Sequence, residues 1–164
     1  MSLAIQMHQL VYGTNAKEAL HGIGILGIAA WIFASLVVHE GLHGFAWKLC
    51  NSGNPEFRIE FGFSWKACAF FAHPIGSLPI RSYVVGSAAP GVLLGLLPVI
   101  VGQMSGLITF TIFGAFNLAA SGGDFVVLWL TRQVAANGHV LDHPTRIGFL
   151  IVEESSAPSP KPVA

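Results

Sequence analysis

Two stretches of this chain carry no formal charge over lengths that can cross a bilayer. Residues 19–38, ALHGIGILGIAAWIFASLVV, form the first. The second runs from Ser82 to Gly123, about 40 residues, enough for two passes of roughly 20 residues each. Its middle, GQMSG at Gly102–Gly106, is the natural place for the chain to turn. Membrane helices are therefore expected at about 22–47, 83–102 and 106–130. The first has no basic leader and no small-residue cleavage site, so it does not read as a signal peptide. Composition agrees: 53% of the 164 residues are hydrophobic and 10% are charged, against about 25% charged in a soluble domain. Eight basic and eight acidic residues balance, leaving no basic surface for nucleic acid. Cys50 and Cys68 show neither CxxC spacing nor a disulfide framework and read as free thiols.

Three passes place the N-terminus and the 102–106 turn on one side. That side carries only Lys17, whereas Lys48, Arg58, Lys66, Arg81, Arg132, Arg146 and Lys161 fall on the other. The positive-inside rule then puts residues 48–82 and the C-terminal tail in the cytoplasm and the N-terminus outside. Residues 155–164 end the chain in a Pro/Ser-rich sequence of disordered character.

Within the first expected helix, overlapping the end of the uncharged stretch, lies VVHEGLHGF, Val37–Phe45. His39 and His43 are four residues apart and share a helix face, so both imidazoles can grip one metal ion. Glu40 is displaced by about 100° and can reach a bound water instead. Zinc suits neutral imidazole ligands at about 2.0–2.1 Å. Three hydratable groups within five residues of a membrane helix are costly without a shared partner; the bland alternative is bonding to neighbouring backbone.

A catalytic zinc needs a third protein ligand and an open position. Asp124, in NLAASGGDFVV, is the acid within the later spans. Counted from Gly22, His39 lies about 26 Å along the first helix; counted from Gly106, Asp124 lies about 27 Å along the third. The depths match, although Asp124 at that depth also suits a helix-end cap near the headgroups. Ser121, Gly122 and Gly123 loosen the helix before it and permit close backbone approach. Asn117, two turns earlier on a similar face, is placed to bind an oxyanion or substrate carbonyl, or to make a helix–helix hydrogen bond.

These pieces, HEGLHGF, IEFGFSW, SAAPGVLLG and NLAASGGD, resemble the small bacterial membrane proteins described as putative zincin peptidases, and more distantly the site-2 protease group of intramembrane zinc metalloproteases. The resemblance covers most of residues 35–130. It implies that His39, His43 and Asp124 bind zinc, that Glu40 is the general base, and that residues 1–154 form one membrane metalloprotease-like domain acting on membrane protein or peptide substrates. The chain departs from the site-2 pattern in having SGGD without a proline before the aspartate.

Between the first two spans, PEFRIEFGFSW alternates apolar Phe57, Ile59, Phe61, Phe63 and Trp65 with Arg58, Glu60, Gly62 and Ser64. Period two predicts a strand in a short cytoplasmic hairpin-like segment near the membrane surface. Its edge suits strand addition by an unwound substrate; an aromatic-anchored interfacial hairpin is the alternative. Pro90 with Gly91 and Gly95 reads as a packing and kink element. His73 in AHPIG reads as a turn residue, and His139, Asp142 and His143 as part of a solvated tail.

The expectation is an all-α membrane protein with a three-helix transmembrane core, multi-pass in the cell membrane and surrounded by the lipid bilayer. Its expected activity is that of a zinc-dependent peptidase working near the cytoplasmic face. A membrane scaffold or regulator retaining a zinc site is the other class. Haem binding fits less well, because His39 and His43 share one face instead of facing each other from separate helices.

Overall fold

A computed structural model describes residues 2–55, 57–65, 69–143 and 148–152. The tail expected over 155–164, Cys68, and three of the charges used for orientation (Lys66, Arg146 and Lys161) lie outside the described residues.

Helix α1, Leu3–Tyr12, opens the chain and ends at Gly13, whose φ of 64° is the left-handed conformation glycine tolerates. It is an element the hydropathy pattern did not single out. Asn15 caps α2, Ala16–Cys50, accepting from the Lys17 amide. Gly24, with φ 71° and ψ 164°, interrupts α2 early. Its two parts together cover 35 residues and begin well before the expected 22–47 segment. The second apolar stretch begins with α3, Ile80–Pro90, continues through a π-helical turn at Gly91–Leu96, and ends as α4, Leu97–Ser105. Pro90 has no amide hydrogen to give the helix ladder, and the turn that follows relaxes to wider bonding.

The expected third span is broken. Helix α5, Ile108–Ala120, and helix α6, Gly122–Leu130, meet at Ser121 with a bend of 51°. Ser121 has a ψ of 11°, off the helical value, and two glycines follow it. The chain therefore has two helices long and apolar enough to cross a membrane, Ala16–Cys50 and Ile80–Ser105, or three if the bent pair is one span. Large apolar side chains on these helices face outward: Ile25 is 85% exposed, Leu26 83% and Met104 81%. A water-facing surface does not gather so much apolar area.

The all-α expectation is corrected by two small antiparallel sheets among the described residues. Strands β1, Arg58–Ser64, and β2, Ala69–Ile75, form the predicted hairpin, with Phe61 opposite Ala72. It does not stand off at one end of the helices but lies along α2: Phe61 covers Gly44, Ala72 meets Glu40, and Phe70 meets Phe33 edge to face. His73 thus sits in a strand, not a turn. The second sheet orders β3, Ser77–Pro79, then β4, His139–Asp142, then β5, Phe149–Val152. The solvated-tail assignment for residues 139–143 is overturned, because Val140 is fully buried and packs with Trp47, Phe57, Leu78, Ile80 and Tyr83.

Small residues bring the helices together. A side chain at Gly114 of α5 would meet the Gly95 carbonyl at 2.5 Å and Val99 at 2.7 Å. Gly114→Ala is expected to destabilise the fold by about 1–3 kcal/mol. Gly22→Ala, where open space surrounds the new methyl, is expected to be neutral or to stabilise by up to about 1 kcal/mol. Thermal unfolding of both variants in the same detergent checks the opposite signs.

Candidate metal centre

The centre is built on one face of α2. Residues 39, 43 and 47 repeat every four positions, so His39, His43 and Trp47 stand in a column. The two imidazoles are 5.0 Å apart at 76°, and Trp47 stacks on His43 at 5.3 Å and 17°. Both histidines are buried, at 6% and 5% exposed.

Helix α3 fixes the inner histidine. His43 Nδ1 lies 2.8 Å from the Gly86 carbonyl oxygen. Only a donor can face a carbonyl at that distance, so Nδ1 carries a hydrogen; in the neutral ring, the form that binds a metal, Nε2 then keeps its lone pair. Gly86 is required for this approach, since the Trp47 ring occupies the space a Cβ would take.

The break at Ser121 sets α6 at an angle to α5 and presents Asp124 from its first turn. Asp124 Oδ2 is 3.2 Å from His39 Nε2, and Oδ1 is 3.2 Å from His43 Nε2. With His43 neutral, a lone pair on Nε2 facing a carboxylate oxygen is repulsive unless a cation lies between them, and the 3.2 Å separations are also those of an ion pair with a protonated ring. Ligand atoms held tetrahedrally at 2.0–2.1 Å from zinc are roughly 3.3–3.4 Å apart, close to both separations. Among the described residues, His39, His43 and Asp124 form the group able to hold a metal, with ligand atoms all within 4.8 Å of one another. Two neutral imidazoles and one carboxylate suit zinc and leave a fourth position open. His39 Nδ1 is buried and without a hydrogen-bond partner among the described residues. His39 therefore lacks the outer hydrogen bond that orients His43.

Glu40 stands beside this trio. Its Oε2 accepts the Ala72 amide hydrogen of β2 at 2.8 Å. Asn117 takes the helix–helix alternative: it accepts from Ser35 Oγ at 2.7 Å and donates to the Phe113 carbonyl at 3.0 Å. Ser35 is one turn before His39, so Asn117 ties α5 to the helix bearing the histidines. His73 pairs with Asp142 at 2.5 Å and is not part of the trio. The Gly86 carbonyl and the Ala72 amide were not anticipated, because backbone groups have no residue identity to read. Trp47 was findable, as the third member of the same four-residue column.

A family model described as putative zincin peptidase matches residues 32–138, a stretch containing His39, Glu40, His43, Asn117 and Asp124. No curated protein and no solved structure matches the chain.

Purified wild type is expected to carry one zinc per chain. His43→Ala and Asp124→Ala are expected to weaken zinc by more than the roughly 10–100-fold lost with a supporting hydrogen bond. Elemental analysis after dialysis checks this; full zinc in either variant contradicts the ligand set.

Proposed function

The chain belongs to the putative zincin peptidase family, and from that premise we propose that it is a membrane-embedded zinc peptidase. In this proposal it hydrolyses peptide bonds of membrane proteins or peptides near the cytoplasmic face. The observation that carries the reading is the pair of 3.2 Å approaches by which both oxygens of Asp124 face the two Nε2 atoms of one HExxH helix.

His39, His43 and Asp124 would hold the ion. Zinc held there would supply a Lewis acid for the peptide carbonyl and would lower the pKa of bound water to about 7. Glu40 is the remaining ionisable group of the motif. It lies next to the trio without joining it, which suits a base that removes a proton from the attacking water and returns it to the departing amine. Asn117 acts by holding α5 on α2 through Ser35. No contact with substrate is assigned to it.

The hairpin supports a mode of substrate capture. Ala72 turns its amide away from β1 towards Glu40, so residues 70 and 72 direct their backbone groups to the outer side of β2. An extended peptide laid against that side meets the base and the metal-binding trio together. This matters for a membrane substrate, whose helical peptide bonds are closed by internal hydrogen bonds until the segment is unwound. Orientation rests on the charge asymmetry. Lys48, Arg58, Arg81 and Arg132 follow the first apolar stretch or flank the later ones, and by the positive-inside rule this favours a cytoplasmic location for that end.

A disordered substrate avoids the unwinding step. Zinc-loaded protein in detergent micelles is expected to cleave fluorescein-labelled casein. Glu40→Gln is expected to keep its zinc and lose about 10²–10⁴-fold in kcat. Undiminished cleavage by Glu40→Gln contradicts the assigned base. Zinc-loaded wild type that leaves casein intact contradicts the peptidase reading and favours a scaffold with a structural metal.

A further inference from the structure

Asp142 has no part in the centre described above, yet its carboxylate is engaged on both sides. Oδ2 accepts from His73 Nδ1 at 2.5 Å, and Oδ1 accepts from the Tyr83 hydroxyl at 2.6 Å. The partners lie 69 and 59 residues away in sequence, on β2 and α3. Tyr83 is 2% exposed and stacks on Trp47 at 6.0 Å and 18°, and Trp47 stacks in turn on His43. His73 directly follows Ala72, the residue whose amide binds Glu40. The contacts therefore close a ring. They lead from His43 through Trp47, Tyr83, Asp142 and His73 to Ala72 and Glu40, and along α2 back to His43.

We propose that Asp142 and His73 are positioning residues for Glu40: the C-terminal strand β4 clamps β2 so that the Ala72 amide holds the carboxylate of the base in register with His39, His43 and Asp124. This rests on the assignment of Glu40 as the base. β2 has β1 as its strand partner in that sheet, and the contacts of Phe70 with Phe33 and Phe61 with Gly44 are apolar and have little directional preference. Two directional contacts of β2 fall on successive residues, Ala72 to Glu40 and His73 to Asp142. The first joins the strand to the base; the second ties it, through Asp142 and Tyr83, to the column of rings on α2. His73 Nδ1 is committed to Asp142, which gives this histidine a fixed tautomer and a purpose other than metal binding. The C-terminal sheet is on this account part of the catalytic apparatus, although it contributes nothing to the metal.

Hydrogen–deuterium exchange on the full-length, zinc-loaded protein in micelles tests this directly. Asp142→Asn is nearly isosteric and still offers Tyr83 an oxygen, so it weakens the clamp without opening a cavity; His73→Ala removes the other half. In both variants amides of residues 69–75 are expected to exchange at least about tenfold faster, as for a locally opened segment. Amides of residues 80–90 and the zinc content stay at wild-type values. With labelled casein, kcat is expected to fall about tenfold to a hundredfold through misplacement of the base, with KM unchanged. Unchanged exchange across residues 69–75 in both variants overturns the proposal. So does an equal loss of protection throughout residues 69–105, the mark of general loosening. Zinc-loaded wild type that spares casein removes the peptidase assignment alone; the exchange comparison still decides whether Asp142 and His73 hold β2.

Discussion

Two imidazole nitrogens and the two oxygens of one carboxylate meet here in a buried space, and a neutral His43, its Nδ1 hydrogen given to Gly86, faces its oxygen with a lone pair. That arrangement is unfavourable by itself and favourable around a cation. Much of the architecture can be understood as the means of holding it. The Gly86 carbonyl fixes the His43 tautomer, Trp47 packs along the ring, and the bend at Ser121 delivers Asp124. Buried polar groups that lack partners are costly, so the metal would contribute to stability as well as to chemistry.

Close approach of backbones makes the centre geometrically available. Where Gly86 meets Trp47, where Gly44 meets Phe61 and where Gly114 meets Gly95, a methyl group would occupy space that another residue fills. In the proposed membrane setting, helices would gain no hydrophobic driving force from meeting one another, and small residues let packing and hydrogen bonds do the work instead. The Ser35–Asn117 bond, buried between α2 and α5 one turn from His39, is one such contact. The same logic places the hairpin: Gly44 leaves room for Phe61, and so β2 can lie beside Glu40.

The sequence made the centre more legible than the fold around it. HExxH has a fixed helical spacing, so His39, Glu40 and His43 declare their geometry. Asp124 could be matched to them by counting residues from the helix starts, even though the third span proved to be bent, because the bend lies only three residues before it. Asn117 was ambiguous for a physical reason: an amide on that helix face suits an oxyanion or a neighbouring hydroxyl equally, and only the position of Ser35 decides. The β1–β2 hairpin was visible in the alternation from Phe57 to Trp65. Strands β4 and β5 were not, since four residues are too few to establish a period and β4 pairs with Ser77–Pro79 some sixty positions away. Asp142 and His73 looked like unrelated loop residues for the same reason; what joins them is the tertiary fold.

X-ray absorption at the zinc edge on the purified wild-type protein tests the coordination most directly. The account predicts a first shell of nitrogen and oxygen at about 2.0–2.1 Å, with the outer-shell scattering of two imidazoles. A sulfur shell near 2.3 Å, or a light-atom shell without imidazole scattering, would contradict it.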